Sequence, residues 1–222
     1  MEFLLEKIGI INMKYEKLEE NDQFNIFPIL RKLHDEVHLH SQFIFELLNP
    51  NGSHNKGTIF LESFLEEIKI DSFELEEIEV EKELYNIDIL INNKHQAIIV
   101  ENKIRAKDQD KQIERYYNLI KEQGFREIKI VYLKPFEENP SKESLGDLPS
   151  EVIEKELIVI SYHKEILNWI EKCISISTRH PALRETLIQY SNVVKEITNQ
   201  GMSEDKEKEV IELLSKNNEN IM

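Results

Sequence analysis

Asn86-Ile87-Asp88-Ile89-Leu90-Ile91, followed by Ala97-Ile98-Ile99-Val100-Glu101-Asn102-Lys103, decides the fold of this 222-residue chain. Both pieces are apolar runs of strand length, rich in β-branched residues. Each carries an acid where a buried strand should have none. A charged side chain is rarely buried unless it is paired or holds a metal. The polar break Asn92-Asn93-Lys94 between the runs predicts a hairpin. The turn folds Asp88 back beside Glu101, so the two carboxylates can share one hard-cation site. Lys103 follows Glu101 by two positions and falls on the same strand face.

Two acids and a lysine so placed suit metal-assisted phosphodiester hydrolysis. The reaction needs a water deprotonated near neutral pH and an electrophile on the phosphoryl oxygen; Mg²⁺ held by carboxylates supplies both. Lys103 would orient the water and offset charge developing on the phosphate. The plainer alternative is a salt bridge at a strand end. Gln112 and Tyr116 lie four residues apart on the next predicted helix and share a face. With Arg115 beside them they would hold a phosphate or position the lysine; the alternative is an ordinary amphipathic helix. Glu81 and Glu83 share a face of the preceding strand, and Glu83, nearer to Asp88, is the better candidate for a further metal ligand. His38 and His40 point to different faces of a helix, and no cysteine joins them or His54, so a zinc site is not expected. There is no Gly-rich phosphate loop and no serine or cysteine nucleophile elbow.

Composition bounds the rest. The length suits one domain, and 40% hydrophobic residues suffice for a core. The single cysteine, Cys173, excludes an internal disulfide and fits a reducing cytosol. The N-terminus is apolar only in pieces, and no apolar run approaches a membrane span, so a cytoplasmic protein is expected. With 28 Lys and Arg against 43 Asp and Glu, the net charge is −15, the wrong sign for a nucleic-acid partner. The charge is uneven, however. Positions 62–83 hold ten acids and two lysines, a local −8. Positions 86–134 hold ten Lys and Arg and seven acids, a local +3, and two of those acids are Asp88 and Glu101. The candidate site thus lies in the basic segment of an acidic chain, and Arg105, Lys107, Lys111 and Arg115 are candidate phosphate contacts. The plainer reading of that segment is a solvated helix face.

Hydrophobic periodicity predicts helices at 24–33 with Asp22 as N-cap, at 36–48, and at 58–68 with Ile59, Phe60, Phe64 and Leu65 on one stripe. Strands follow at 76–84, 87–91 and 97–101. Asp108 is placed to cap a helix running to about Glu122 and closed by Gly124. Then come a strand at 128–133, a polar loop at 135–149, a strand at 157–161, and helices at 163–173, 183–198 and 203–216. This order predicts an α/β/α sandwich on a mixed central sheet, with added N- and C-terminal helices. Residues 1–200 form the domain, and 201–222 an acidic C-terminal helix or tail.

Asp88, Glu101-Asn102-Lys103 and Gln112-x-x-x-Tyr116 together resemble the PD-(D/E)XK nuclease superfamily, including the Q-x-x-x-Y element of its RecB-like members. One bacterial branch of that superfamily is also similar at Phe24–Phe27, His40–Phe43, Leu47–His54, Ile99–Ile104, Tyr132-Leu133 and Ile160–Tyr162. The resemblance spans roughly residues 22–190. It implies a restriction-endonuclease-like fold, Mg²⁺-dependent cleavage of DNA, with Mn²⁺ as a substitute ion, and a role in phage defence or mobile-element biology. It makes Asp88 and Glu101 metal ligands, Lys103 the catalytic lysine, and Gln112 and Tyr116 the supporting motif. The superfamily often adds a glutamate from an N-terminal helix, for which Glu36 is the best-placed residue. Here Ile87 precedes the first acid, where the superfamily's signature often has proline.

The expectation is a cytoplasmic, Mg²⁺-dependent deoxyribonuclease with DNA as partner and no membrane, with a homodimer or a larger defence complex as the candidate assemblies. The alternatives are an RNase of the same fold, a non-catalytic binding module, and an acidic interaction protein or DNA mimic.

Overall fold

The computed structural model describes residues 6–14, 24–200 and 202–218. In chain order the helices are α1 (6–14), α2 (Ile26–Leu30), α3 (Gln42–Leu48), α4 (Ile59–Glu67), α5 (Gln112–Glu122), α6 (Lys142–Leu145), α7 (Ser150–Glu156), α8 (Leu167–Ile176), α9 (Pro181–Ile197) and α10 (Met202–Asn218). Short π-helical stretches, Glu36–Ser41 and Tyr162–Ile166, lead directly into α3 and α8. The strands are β1 (Glu79–Lys82), β2 (Ile89–Asn92), β3 (Gln96–Asn102), β4 (Glu127–Lys134) and β5 (Leu157–Ser161).

These strands form one mixed sheet in sequence order. β1, β2 and β3 are an antiparallel meander, while β3–β4 and β4–β5 are parallel. Parallel neighbours need long crossovers, and α5 and α7 supply them. The β2–β3 hairpin is closed by Asn93, whose side-chain oxygen accepts the amides of His95 at 2.9 Å and Gln96 at 2.8 Å.

β3 is buried at every position, as its unbroken apolar run requires of a central strand. Its alternation sends Ile98 and Val100 into the larger core with α3, α4, α8 and α9, and Ala97 and Ile99 into a smaller core under α5 and α7. Helices therefore cover both faces, giving the α/β/α sandwich of a restriction-endonuclease-like fold. In the larger core, Trp169 is fully buried and donates its indole N–H to Phe60 O at 2.9 Å.

Several local expectations are corrected. The first of the predicted helices is only α2, capped by Asn25, whose side chain accepts the Phe27 amide, because Arg31 is already extended; Asp22 lies outside the described residues. Ile59 is 46% exposed, and Leu61 takes its place in the core. The strand foreseen at 76–84 shrinks to β1 because Glu77, Glu83, Tyr85 and Asn86 all adopt left-handed backbone, with φ between 53° and 63°. Asp108 does not cap α5. Lys111 holds the N-cap position, and Asp108 instead accepts the Tyr132 hydroxyl at 2.7 Å and the Ser141 amide at 2.6 Å. That bond ties down the polar 135–149 segment, which contains α6, and α7 follows where no helix was expected. The helix at 163–173 begins at Tyr162 as a π turn and continues to Ile176. Helix α10 covers the acidic segment, while Gly201, where the tail was divided from the domain, lies outside the described residues.

Candidate active site

Strand register brings the two acids together. Ile89 pairs with Val100, so one further step sets Asp88 opposite Glu101. Glu101 shares the face of Ile99, and Asp88 that of Leu90, so both carboxylates point to the α5 side. They open into a cleft of about 790 Å³ that Lys103, Gln112, Tyr116 and Glu36 also line. Tyr85 and Asn86, both left-handed, line it as well.

Asp88 Oδ2 accepts the Asn102 amide at 2.8 Å, which docks the start of β2 on the end of β3. Burial pushes Asp88 up to about 6, against the pull of that amide and of Lys103. Glu101 lies deeper: burial, then the charge of Asp88, push it up to about 8, with Lys103 pulling the other way. Lys103 Nζ donates to Glu101 Oε1 at 2.6 Å. Burial disfavours its ammonium, but Glu101, Glu36 and Asp88 outweigh that effect and hold Lys103 above the ordinary lysine value.

Helix α5 supports this pair from above. Gln112 Nε2 donates to Glu101 Oε1 at 2.7 Å and to Tyr116 Oη at 3.1 Å. Tyr116 in turn donates to Asn86 O at 2.5 Å, tying the strained turn to the helix. Gln112 and Tyr116 thus both face the site, as their four-residue spacing predicts.

Glu36 lines the cleft, but one of its oxygens is already engaged. Oε2 accepts the amides of Ile104 at 2.6 Å and Ala106 at 3.4 Å. Glu83 does not line the cleft; its side chain is 55% exposed and reaches Lys82. A left-handed Glu83 ends β1, so the alternation that was to aim it at Asp88 stops one residue short. Among the four basic candidates, Lys107 and Arg115 line the cleft. Lys111 instead pairs with Asp147 and, at 3.4 Å, with Glu114, and Arg105 faces a neighbouring cavity.

The sequence reading missed what holds the other face. Asn102 points away from the cleft, donates to Ser41 Oγ at 2.9 Å and accepts the Tyr162 hydroxyl at 3.0 Å. The signal was an asparagine inside a fully buried strand. Of the histidines considered for zinc, His40 bonds Tyr190 Oη and Leu33 O, and His54 bonds Asn49 O and accepts the Lys56 amide.

The donor set suits a hard divalent cation. Glu101 Oε2 is buried and has no hydrogen-bond partner, a costly arrangement unless a cation completes it. Two carboxylates, with water and substrate phosphate in the other positions, match how Mg²⁺ is commonly bound. Among the described residues no group of three or more His, Cys, Asp or Glu side chains is placed to hold a metal ion.

Comparison with family models matches residues 24–192 to the PD-(D/E)XK nuclease superfamily. The chain belongs to that superfamily. Comparison with curated proteins and with solved structures finds no match. As a PD-(D/E)XK chain it joins its superfamily's fold to an acid pair, a lysine and a Gln-Tyr helix that meet in one cleft. Among its described residues no helix is long and apolar enough to cross a membrane.

Proposed function

We propose that this PD-(D/E)XK chain is a Mg²⁺-dependent deoxyribonuclease, with Mn²⁺ able to replace Mg²⁺. The observation that carries this reading is the unpartnered Glu101 Oε2 in a cleft shared with Asp88 and a cationic Lys103. Asp88 and Glu101 would hold the ion. When bound, it lowers the pKa of a water and polarises the phosphoryl oxygen.

The chain's own groups do the rest. A water oxygen attacks phosphorus and gives up its proton to bulk water, the bond to the ester oxygen breaks, and that oxygen takes a proton from bulk water as it leaves. Lys103, being cationic, does not remove the water's proton; it donates to the phosphate and offsets the charge that grows in the transition state. Glu101 and Gln112 fix Lys103 in place before substrate arrives, so little reorganisation is needed. Lys107 and Arg115 at the cleft wall contact flanking phosphates.

The test is incubation with plasmid, linear, single-stranded and RNA substrates in Mg²⁺, Mn²⁺ or EDTA, beside Asp88→Asn. Cleavage of DNA with Mg²⁺, lost in EDTA and in Asp88→Asn, is the expected result. Cleavage of RNA alone would make the chain an RNase. Metal-independent binding without cleavage would make it a non-catalytic module.

A further inference from the structure

A second cavity of about 640 Å³ adjoins the cleft. The segment 104–107 separates the two. Ile104 and Arg105 line the second cavity, while Ala106 and Lys107 line the cleft. Glu36 pins this ridge by accepting the amides of both Ile104 and Ala106 on one oxygen. The two spaces are therefore held in a fixed relation, and the ridge turns Arg105 to the second cavity and Lys107 to the cleft.

The far wall carries an aromatic ring. Phe136 is 47% exposed and stands beside His163, ring centres 5.6 Å apart, which fixes one side of it. His34 lines the cavity and has a buried Nδ1 without a partner. Arg105 forms no ion pair among the described residues. Lys134 is paired with Glu138 at 2.6 Å, and Glu196 stands near His34. The acids balance the cations, so the interior favours an uncharged, hydrogen-bonding heterocycle over a phosphate. Phosphates would stay on the ridge with Arg105 and Lys107.

We propose that this cavity, between Arg105, Phe136 and His34, binds one unpaired base of a single-stranded DNA segment beside the scissile phosphate. The proposal rests on the nuclease reading of the adjoining cleft. A nucleobase offers a π-face to Phe136 and polar edges to His34 and Glu196, and stacking on an aromatic ring tolerates any base. A base still paired in a duplex cannot enter, so the substrate must be single-stranded, frayed or flipped at this point.

The experiment measures binding of a fluorescein-labelled mixed-sequence 20-mer by anisotropy in EDTA, single-stranded and as a blunt duplex. It compares the full chain with Phe136→Ala, Phe136→Trp and Arg105→Ala, each checked by a melting curve. Phe136→Ala should weaken single-strand binding about tenfold, the order expected for one lost base stack, and leave duplex binding unchanged. Phe136→Trp should restore it, and Arg105→Ala should weaken it and flatten its salt dependence. Wild-type single-strand binding in Phe136→Ala, or equal losses for duplex and single strand, overturns the subsite. If Asp88→Asn still abolishes cleavage in that case, the nuclease reading survives alone. If instead the chain cuts nothing with Mg²⁺ or Mn²⁺ while single-strand binding depends on Phe136, the subsite stands and the nuclease reading fails.

Discussion

Lys103 Nζ lies 2.6 Å from Glu101 Oε1, and both side chains are almost wholly buried at the end of β3. A pair this deep gains little net stability, because desolvation offsets its attraction. Its use is positional: the lysine is aimed into the cleft by an acid that is itself held by Gln112.

Lys103→Met should therefore impair chemistry more than folding. The methionine keeps the apolar stem, and Glu101, already pushed up to about 8 by burial and by Asp88, can take a proton when its partner is removed. Single-turnover cleavage should fall roughly 10²-fold or more, the order seen on removing an electrostatic catalytic group. Normal cutting by the variant would reduce the lysine to a structural partner.

Divalent cation should stabilise the folded chain through Asp88 and Glu101. A ligand that binds only the native state at a hundred times its dissociation constant adds about 2.7 kcal/mol. Melting curves should shift upward with Mg²⁺ for the wild type and not for Asp88→Asn. An equal shift in both would place the ion elsewhere.

Tyr116→Phe tests the tie between α5 and the strained turn. It removes the hydroxyl that donates to Asn86 O and accepts from Gln112. Denaturant unfolding should show a loss of about 2 kcal/mol, the typical value of two hydrogen bonds. Cleavage should slow as well, since the turn leads directly into Asp88. Unchanged turnover with reduced stability would confine Tyr116 to a structural role.

His40 should make the fold acid-sensitive. Burial lowers it to about 4 from an ordinary 6.5, despite its bond to Leu33 O. The unfolded chain therefore takes up the proton first as pH falls. The contribution is complete above about pH 6.5 and is lost down to about pH 4, amounting to about 3 kcal/mol. Urea midpoints measured from pH 7 to 4 should drop steeply in the wild type and less steeply in His40→Asn. Parallel slopes would assign the acid sensitivity to other groups.

Sequence alone determined the parts that local periodicity encodes. Two apolar runs around an Asn-rich break make a hairpin, the two-residue alternation puts Glu101 and Lys103 on one face, and four-residue spacing puts Gln112 and Tyr116 on another. Those rules act within a few residues, and from them came the acid pair, the lysine and the sandwich. Only the tertiary structure decided what each charge meets. Glu36 reaches the amide of Ile104, 68 residues away, and becomes the clamp on the ridge. Lys111 is neutralised by Asp147 across the α6 turn, and Asp108 staples Ser141 when it was expected to cap a helix. Glu83 is turned out of the cleft by a left-handed backbone. Such contacts depend on which distant segments the packed layers bring together, and no local pattern of side chains carries that information.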